Sequence, residues 1–126
     1  MADTRQSVSS GSAVPAPPPG EGLELSFSAD PRLYDGRFAN NPWLLELPEP
    51  SSALTWDNAL ELSPRTATRL GLSTGDLVEA RWHGRTLRVP ALVMPGHADD
   101  AASITLGWGR QGALRNGAGA GSNANA

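Results

Sequence analysis

The residues best suited to acid–base or metal chemistry lie in one short segment, where His97 is followed by Asp99 and Asp100. An imidazole beside two carboxylates could hold a hard cation or supply two members of a nucleophilic triad. A cation site on so few near-consecutive ligands needs a second cluster, and no pattern aims a nucleophile at His97 or at His83. We interpret the segment as a polar turn, and we predict no catalytic residue and no metal site in this chain.

The composition argues against several other kinds of site. The 126 residues include no cysteine, which excludes a disulfide, a thiolate zinc site and an iron–sulfur cluster. The formal net charge of −3 is too close to neutral for a protein that follows a phosphate backbone. No stretch has the apolar length of a membrane span or the pattern of a targeting signal. We therefore expect no nucleic-acid partner and no direct membrane insertion.

Composition also divides the chain into three parts. Residues 1–22 are rich in Ser, Ala, Gly and Pro, and residues 112–126 are rich in Gly, Ala and Asn. Such segments have too little to bury against the entropy of ordering, so we predict a disordered linker and a disordered tail. Residues 23–111 remain as one small folded domain with little stability in reserve.

The local pattern of this domain is mainly that of short strands. Leu23 to Phe27 alternates apolar and polar residues, and residues 54–62 and 102–106 also indicate extended structure. Ser63 with Pro64 predicts the start of a helix that ends before Gly71. The pair His83-Gly84 predicts a two-residue hairpin turn. Together these elements favour a mainly β fold, a compact barrel with one or two short helices.

The stretch between Asp30 and Pro50 is predicted to be a loop because turn residues interrupt it repeatedly. It contains a compact apolar group, Trp43 to Leu47. A loop with so many large apolar residues needs something to cover it. We predict that this group packs either against its own domain or against a neighbouring domain, and in the second case the interface is formed by Trp43, Leu44, Leu47 and Trp108.

The segment from Leu62 to Val78 carries a recognisable combination of motifs. An Ala-x-x-Leu-Gly pattern at Ala67 to Gly71 is followed by Gly-Asp-x-Val at Gly75 to Val78. This resembles the C-terminal dinucleotide-binding domain of the molybdopterin oxidoreductase superfamily, and residues 38–48 look like an element of its polysulfide-reductase branch. The resemblance covers about residues 31–110 and implies a double-psi β-barrel.

Three further stretches resemble the large iron–sulfur subunit of alternative complex III, a bacterial respiratory quinol oxidoreductase; they are residues 34–41, residues 54–59, and residues 95–100 with 107–110. In that subunit the fold is kept without the molybdenum cofactor, and a separate part of the protein binds the iron–sulfur clusters. The resemblance implies that this chain is a fragment serving as a cofactor-free scaffold and docking domain in electron transfer. Its partners would be the remaining domains of the large subunit and neighbouring respiratory subunits, at the periplasmic face of the inner membrane.

The same resemblance leaves a second function open, namely a module of a polysulfide-reductase-like enzyme that binds molybdopterin guanine dinucleotide. By analogy its contacts would be Asn41, Asn58, Gly107, Trp108, Gly109 and Arg110. Cofactor-bearing relatives usually end in a Gly-x-Gly-His type motif where this chain has Gly107 to Arg110, which favours the cofactor-free function. A barrel of the transcription-regulator kind is a third possibility, against which the acidic balance argues.

Overall fold

The computed structural model describes residues 2–6, 22–112 and 116–125. The strands among these residues are β1 (Ala2–Gln6), β2 (Leu23–Ala29), β3 (Leu60–Leu62), β4 (Leu77–Trp82), β5 (Arg85–Val93) and β6 (Ala101–Leu106). The helices are α1 (Pro42–Glu46) and α2 (Pro64–Leu70).

Five of the strands form one mixed sheet in the order β2-β6-β3-β5-β4. β2 and β6 run parallel from the pair Glu24 and Ala101 to the pair Ala29 and Leu106. β3 is antiparallel to β6 and parallel to β5, and β5 returns antiparallel to β4. β1 pairs in parallel with both β2 and β4, the two strands at the ends of this order. The prediction of a mainly β fold with two short helices is confirmed.

The hydrophobic core follows from the alternation of side chains along the strands. The larger cluster of buried side chains includes Leu23, Leu25, Leu60, Leu62, Val78, Ala80, Trp82, Val89, Ala91, Ala102 and Ile104. A smaller second cluster contains Leu33, Leu45 and Trp108. The second cluster matters for the candidate site, because it fixes the chain just after β6.

Helix α2 and the β4–β5 hairpin form where their sequence signals predict. The Ser63 side chain accepts a hydrogen bond from the Thr66 backbone amide, and Gly71 ends the helix with φ of 68°. Both turn residues of the hairpin have positive φ, 45° at His83 and 75° at Gly84. This is the conformation that a two-residue turn between twisted strands requires.

The predicted loop from Asp30 to Pro50 differs from the structure, because it contains helix α1. The Asn41 side chain accepts a hydrogen bond from the Trp43 amide, and Pro42 occupies the first turn. This combination of cap and proline is the same signal that marks α2. The extended structure predicted over residues 54–62 is shorter than expected and is limited to β3.

The two ends also differ from the predicted linker and tail. The backbone of β1 lies in the sheet, while residues 7–21 of the predicted linker fall outside the described residues. Residues 116–125, hereafter the C-terminal segment, pack against the body, with Ala124 only 6% exposed in the larger core cluster. A sequence of small residues suggests disorder by composition, yet it also lets a backbone approach its neighbours closely.

Candidate functional site

Asn58 lies at the centre of the contacts that the resemblance assigns to a cofactor, and its side chain is buried. Its Nδ2 donates hydrogen bonds to the Thr105 carbonyl oxygen at 2.9 Å and the Ser122 carbonyl oxygen at 3.0 Å. Its Oδ1 accepts a hydrogen bond from the Ser122 amide at 2.7 Å. Both polar atoms of the Asn58 side chain are thus hydrogen-bonded, and two of these three hydrogen bonds are made with the C-terminal segment.

The backbone from Gly107 to Arg110 is held by the same segment. The Gly107 amide donates to Asn125 Oδ1 at 2.9 Å, and the Gly109 amide donates to the Ala120 carbonyl oxygen at 2.7 Å. A side chain at Gly107 would have no room, because a Cβ there would lie 2.9 Å from the Gly36 backbone nitrogen. Residues 107–110, which the resemblance predicts as cofactor contacts, therefore lie directly against the loop that contains Gly36.

Arg110 and Asn41 also have partners within the chain. The Arg110 guanidinium donates to the Gly36 carbonyl oxygen at 2.8 Å. The Asn41 side chain caps α1 by accepting from the Trp43 amide at 3.1 Å. Asn41 therefore serves the neighbouring helix, whereas Asn58, Trp108 and the 107–110 backbone all contact the C-terminal segment, and we call the surface that they form the cleft.

Trp108 belongs to a buried polar cluster that the sequence analysis missed. Its indole N–H donates to Asp30 Oδ2 at 2.8 Å, and the Arg32 guanidinium lies 4.9 Å from the centre of its ring. Arg32 pairs with Asp30 at 2.9 Å, and both side chains are almost inaccessible to solvent. The Asp-x-Arg spacing is a local signal for a turn. No local signal indicates that its carboxylate accepts a hydrogen bond from a tryptophan 78 positions away.

The Asp30 carboxylate is well compensated for its burial. Burial raises its pKa, but hydrogen bonds from the Arg32 and Trp108 side chains and from the Arg32 and Leu33 amides outweigh it, so the pKa of Asp30 is lowered. Arg32 Nη1 donates to the carbonyl oxygens of Leu47 at 2.9 Å and Leu54 at 2.7 Å. The charged pair thereby joins β2, the end of α1 and the turn after β6.

Trp108, one of the four residues predicted for the interface, is only 2% exposed and is buried within this chain. The indole is drawn inward because Asp30 supplies a buried acceptor for its N–H. Trp43 and Leu47, in contrast, are 79% and 52% exposed. Leu44 is half-buried against the smaller core cluster. We call the exposed pair Trp43, within α1, and Leu47, the residue that follows the helix, the α1 face.

The segment with His97 holds its polar side chains apart. The two ring nitrogens of His97 lie 3.0 Å from the Ala98 carbonyl oxygen and 2.9 Å from Ser103 Oγ. Asp99 accepts from Ser63 Oγ at 2.5 Å, and this hydrogen bond, with Arg65 nearby, lowers its pKa. Asp100 pairs with Arg69 at 2.7 Å. Across the described residues, no group of three or more potential ligands comes together to hold a metal ion.

The dinucleotide cofactor implied by the resemblance does not fit these residues as they lie. The Asn58 side chain and the amides of Gly107 and Gly109 are the donors and acceptors that would hold it, and each is bonded to the C-terminal segment. A separate open cavity of about 380 Å³ lies beside Gly36 and Arg110, and Asn123 and Asn125 of the C-terminal segment form part of its wall. A cofactor at Asn58 would first have to displace the segment.

No protein-family model matches this chain, and no curated protein matches it. Neither α1 nor α2, the helices of the described residues, has the length and apolar character needed to cross a membrane.

Proposed function

We propose that this chain is a double-psi β-barrel domain that acts as a cofactor-free scaffold and docking part of an electron-transfer subunit, similar to the large iron–sulfur subunit of alternative complex III. The observation that carries the proposal is the bonding at Asn58. Its two polar atoms are satisfied by the chain itself, as are the amides of Gly107 and Gly109. A buried polar group with its partners in place offers nothing to a ligand.

The strand pairing supports the barrel. The order β1-β2-β6-β3-β5-β4 closes on itself because β1 pairs with both β2 and β4. Four of the six pairings around this ring are parallel and two are antiparallel, whereas every pairing in a simple up-and-down barrel is antiparallel. The double-psi topology is our interpretation of this mixed pairing together with the sequence resemblance.

The α1 face supports docking. Trp43 is 79% exposed on a helix of only five residues, whose one buried residue is Leu45. Exposed tryptophan is costly in water and common at the centre of interfaces. We propose that this face meets the remaining domains of the large subunit, that the clusters carrying electrons lie in that longer protein, and that the assembly is peripheral to a bacterial inner membrane.

Two measurements on the purified full chain test the cofactor-free part. Metal analysis should find neither molybdenum nor iron in stoichiometric amount, and the near-ultraviolet spectrum should show no pterin absorption. Either a retained metal or a pterin band would contradict the proposal and favour the alternative, a module that binds molybdopterin guanine dinucleotide.

The docking part requires the longer subunit. In that protein Trp43→Ala should weaken assembly with its neighbouring subunits more than Trp43→Phe does, because phenylalanine keeps a large apolar side chain at the contact. The loss can be measured by pull-down of the partner subunits with each variant. Unchanged assembly for Trp43→Ala would reject docking through the α1 face while leaving the cofactor-free part standing.

A further inference from the structure

The C-terminal segment is held by partners from several parts of the fold. The Asn58 side chain makes two hydrogen bonds to the Ser122 backbone, donating from Nδ2 to the carbonyl oxygen and accepting at Oδ1 from the amide. The Ser122 hydroxyl donates to the Arg88 carbonyl oxygen at 3.0 Å, which ties the segment to β5. At its start, the Asn116 amide donates to Asn40 Oδ1 at 3.2 Å. These contacts span sequence separations far beyond those of a local turn.

A short stretch of paired backbone adds to these contacts. The Gly109 amide donates to the Ala120 carbonyl oxygen at 2.7 Å, and the Gly119 amide donates to the Arg110 carbonyl oxygen at 2.9 Å. These two hydrogen bonds join residues 109–110 to residues 119–120 of a segment that turns at its glycines, with φ of 72°, 74° and 71° at Gly117, Gly119 and Gly121. Asn125 completes the contact by accepting from the Gly107 amide.

The fit is selective for small residues at defined positions. A Cβ at Gly121 would lie 2.8 Å from the Trp108 Cβ and 3.0 Å from Asn58 Oδ1. A Cβ at Gly117 would lie 2.9 Å from the Ala39 carbonyl oxygen. Gly119, between them, meets only the Gln111 side chain at an ordinary 3.7 Å. The cleft therefore admits a backbone without side chains at two of these three positions.

We propose that the cleft formed by Asn58, Trp108 and the 107–110 backbone is a peptide-binding site whose ligand is the chain's own C-terminal segment. The segment acts as an internal strap that covers the polar atoms of the cleft and excludes any other ligand from them. The chemical class recognised is a peptide of glycine and other small residues that takes left-handed conformations at its glycines and is bound mainly through its backbone. This goes beyond the scaffold function, since it gives the barrel a built-in occupant whatever assembly it serves.

A matched pair of variants tests the strap. Gly121→Ala and Gly119→Ala impose nearly the same backbone strain, because φ is 71° and 74° at the two positions, but only the first adds a clash with the cleft. In Gly121→Ala we expect the amides of Gly109 and Ser122 to lose about tenfold or more of their hydrogen-exchange protection. In Gly119→Ala the loss should be much smaller. Equal protection in the two variants would overturn the proposal.

The β4–β5 hairpin serves as the internal reference for folding. Its amides should keep their protection in both variants, which separates release of the strap from unfolding of the barrel. If Gly121→Ala unfolds the whole chain, the test becomes the hydrogen-exchange protection of Gly109 and Ser122 in the unmodified chain. Protection of Gly109 and Ser122 well above that of a free peptide supports the strap, and exchange at the free-peptide rate rejects it.

Discussion

At the scale of single residues, the pairing of Asp30 with Arg32 does most to define the site. The two charges are buried together, and the carboxylate accepts five hydrogen bonds from Arg32, Leu33 and Trp108. Breaking a buried pair costs more than the pair itself contributes, because the remaining charge is left without compensation. This cluster orients Trp108, and Trp108 in turn forms one wall of the cleft that holds the C-terminal segment.

Trp108→Phe removes the indole N–H that donates to Asp30 and leaves an aromatic ring in the same place. We expect the free energy of unfolding to fall by about 1–3 kcal/mol, the usual cost of a lost buried hydrogen bond with some lost packing. Trp43→Phe is the matched control, since Trp43 is 79% exposed and its change should be within about 0.5 kcal/mol. Urea denaturation measures both, and equal effects would contradict the role given to Trp108.

Asp30→Asn tests the ion pair through pH. The pKa of Asp30 is lowered in the folded chain, so between the folded and unfolded pKa values the unfolded state binds more protons. The stabilisation is therefore complete above the unfolded pKa of about 3.9 and is lost as pH falls through the folded pKa. We expect Asp30→Asn to cost about 3 kcal/mol or more at pH 7 and distinctly less near pH 2. The same cost at both pH values, measured by denaturant unfolding, would argue against a charged Asp30.

At the scale of elements, the two helices show how far local signals determine structure. Each begins with a polar cap followed by proline, Asn41-Pro42 for α1 and Ser63-Pro64 for α2. α2 also ends on a residue that accepts a left-handed conformation, and it links through Ser63 to Asp99 on the segment before β6. The cap of α2 therefore contributes both to the helix and to tertiary structure.

Ser63→Ala removes the acceptor for the Thr66 amide and the hydroxyl that donates to Asp99. We expect the free energy of unfolding to fall by about 1–2 kcal/mol, the range measured for lost helix caps. Thr68→Ala is the control, because the Thr68 hydroxyl donates to the Pro64 carbonyl oxygen of the same helix, on its exposed side. Thermal or urea unfolding would contradict this account if both variants behaved alike.

At the scale of the whole molecule, the described residues combine a buried core with several exposed apolar side chains, of which Trp43 is the most exposed. The side chains of Trp43 and Leu47 on the α1 face are exposed. The backbone there is held from inside, because Arg32 donates to the Leu47 carbonyl oxygen and Leu45 packs in the smaller core cluster. A domain of this size has little stability in reserve. Its exposed apolar face favours association with another surface. The scaffold proposal predicts how the purified chain behaves in solution.

We expect the purified chain to self-associate at high concentration and Trp43→Ala to reduce this association. Trp43→Phe should behave nearly as the unmodified chain does, because the apolar surface is largely kept. Sedimentation velocity over a range of concentrations gives the measurement. A chain that stays monomeric throughout would show that the α1 face does not drive association.

The sequence by itself determined the elements whose signals are local. The cap and C-terminal glycine of α2, the His83-Gly84 turn and the alternation in β2 and β6 each depend on residues within a few positions of one another. Such patterns predict helices, turns and strands because backbone conformation is set by nearest neighbours. The grouping of Asn58 with residues 107–110 as possible contacts was an expectation from the family resemblance and not from any local pattern.

Only the tertiary structure decided which side chains became buried and what filled the cleft. Trp108 turned inward because Asp30, far away in the sequence, presents a buried acceptor. The composition of the C-terminal segment predicts a disordered tail, yet its Gly121 fits against Trp108 and Asn58, where a side chain would clash. Hydrogen bonds across 64 and 78 positions depend on how the strands are ordered in the sheet, and no local pattern in the sequence encodes that order.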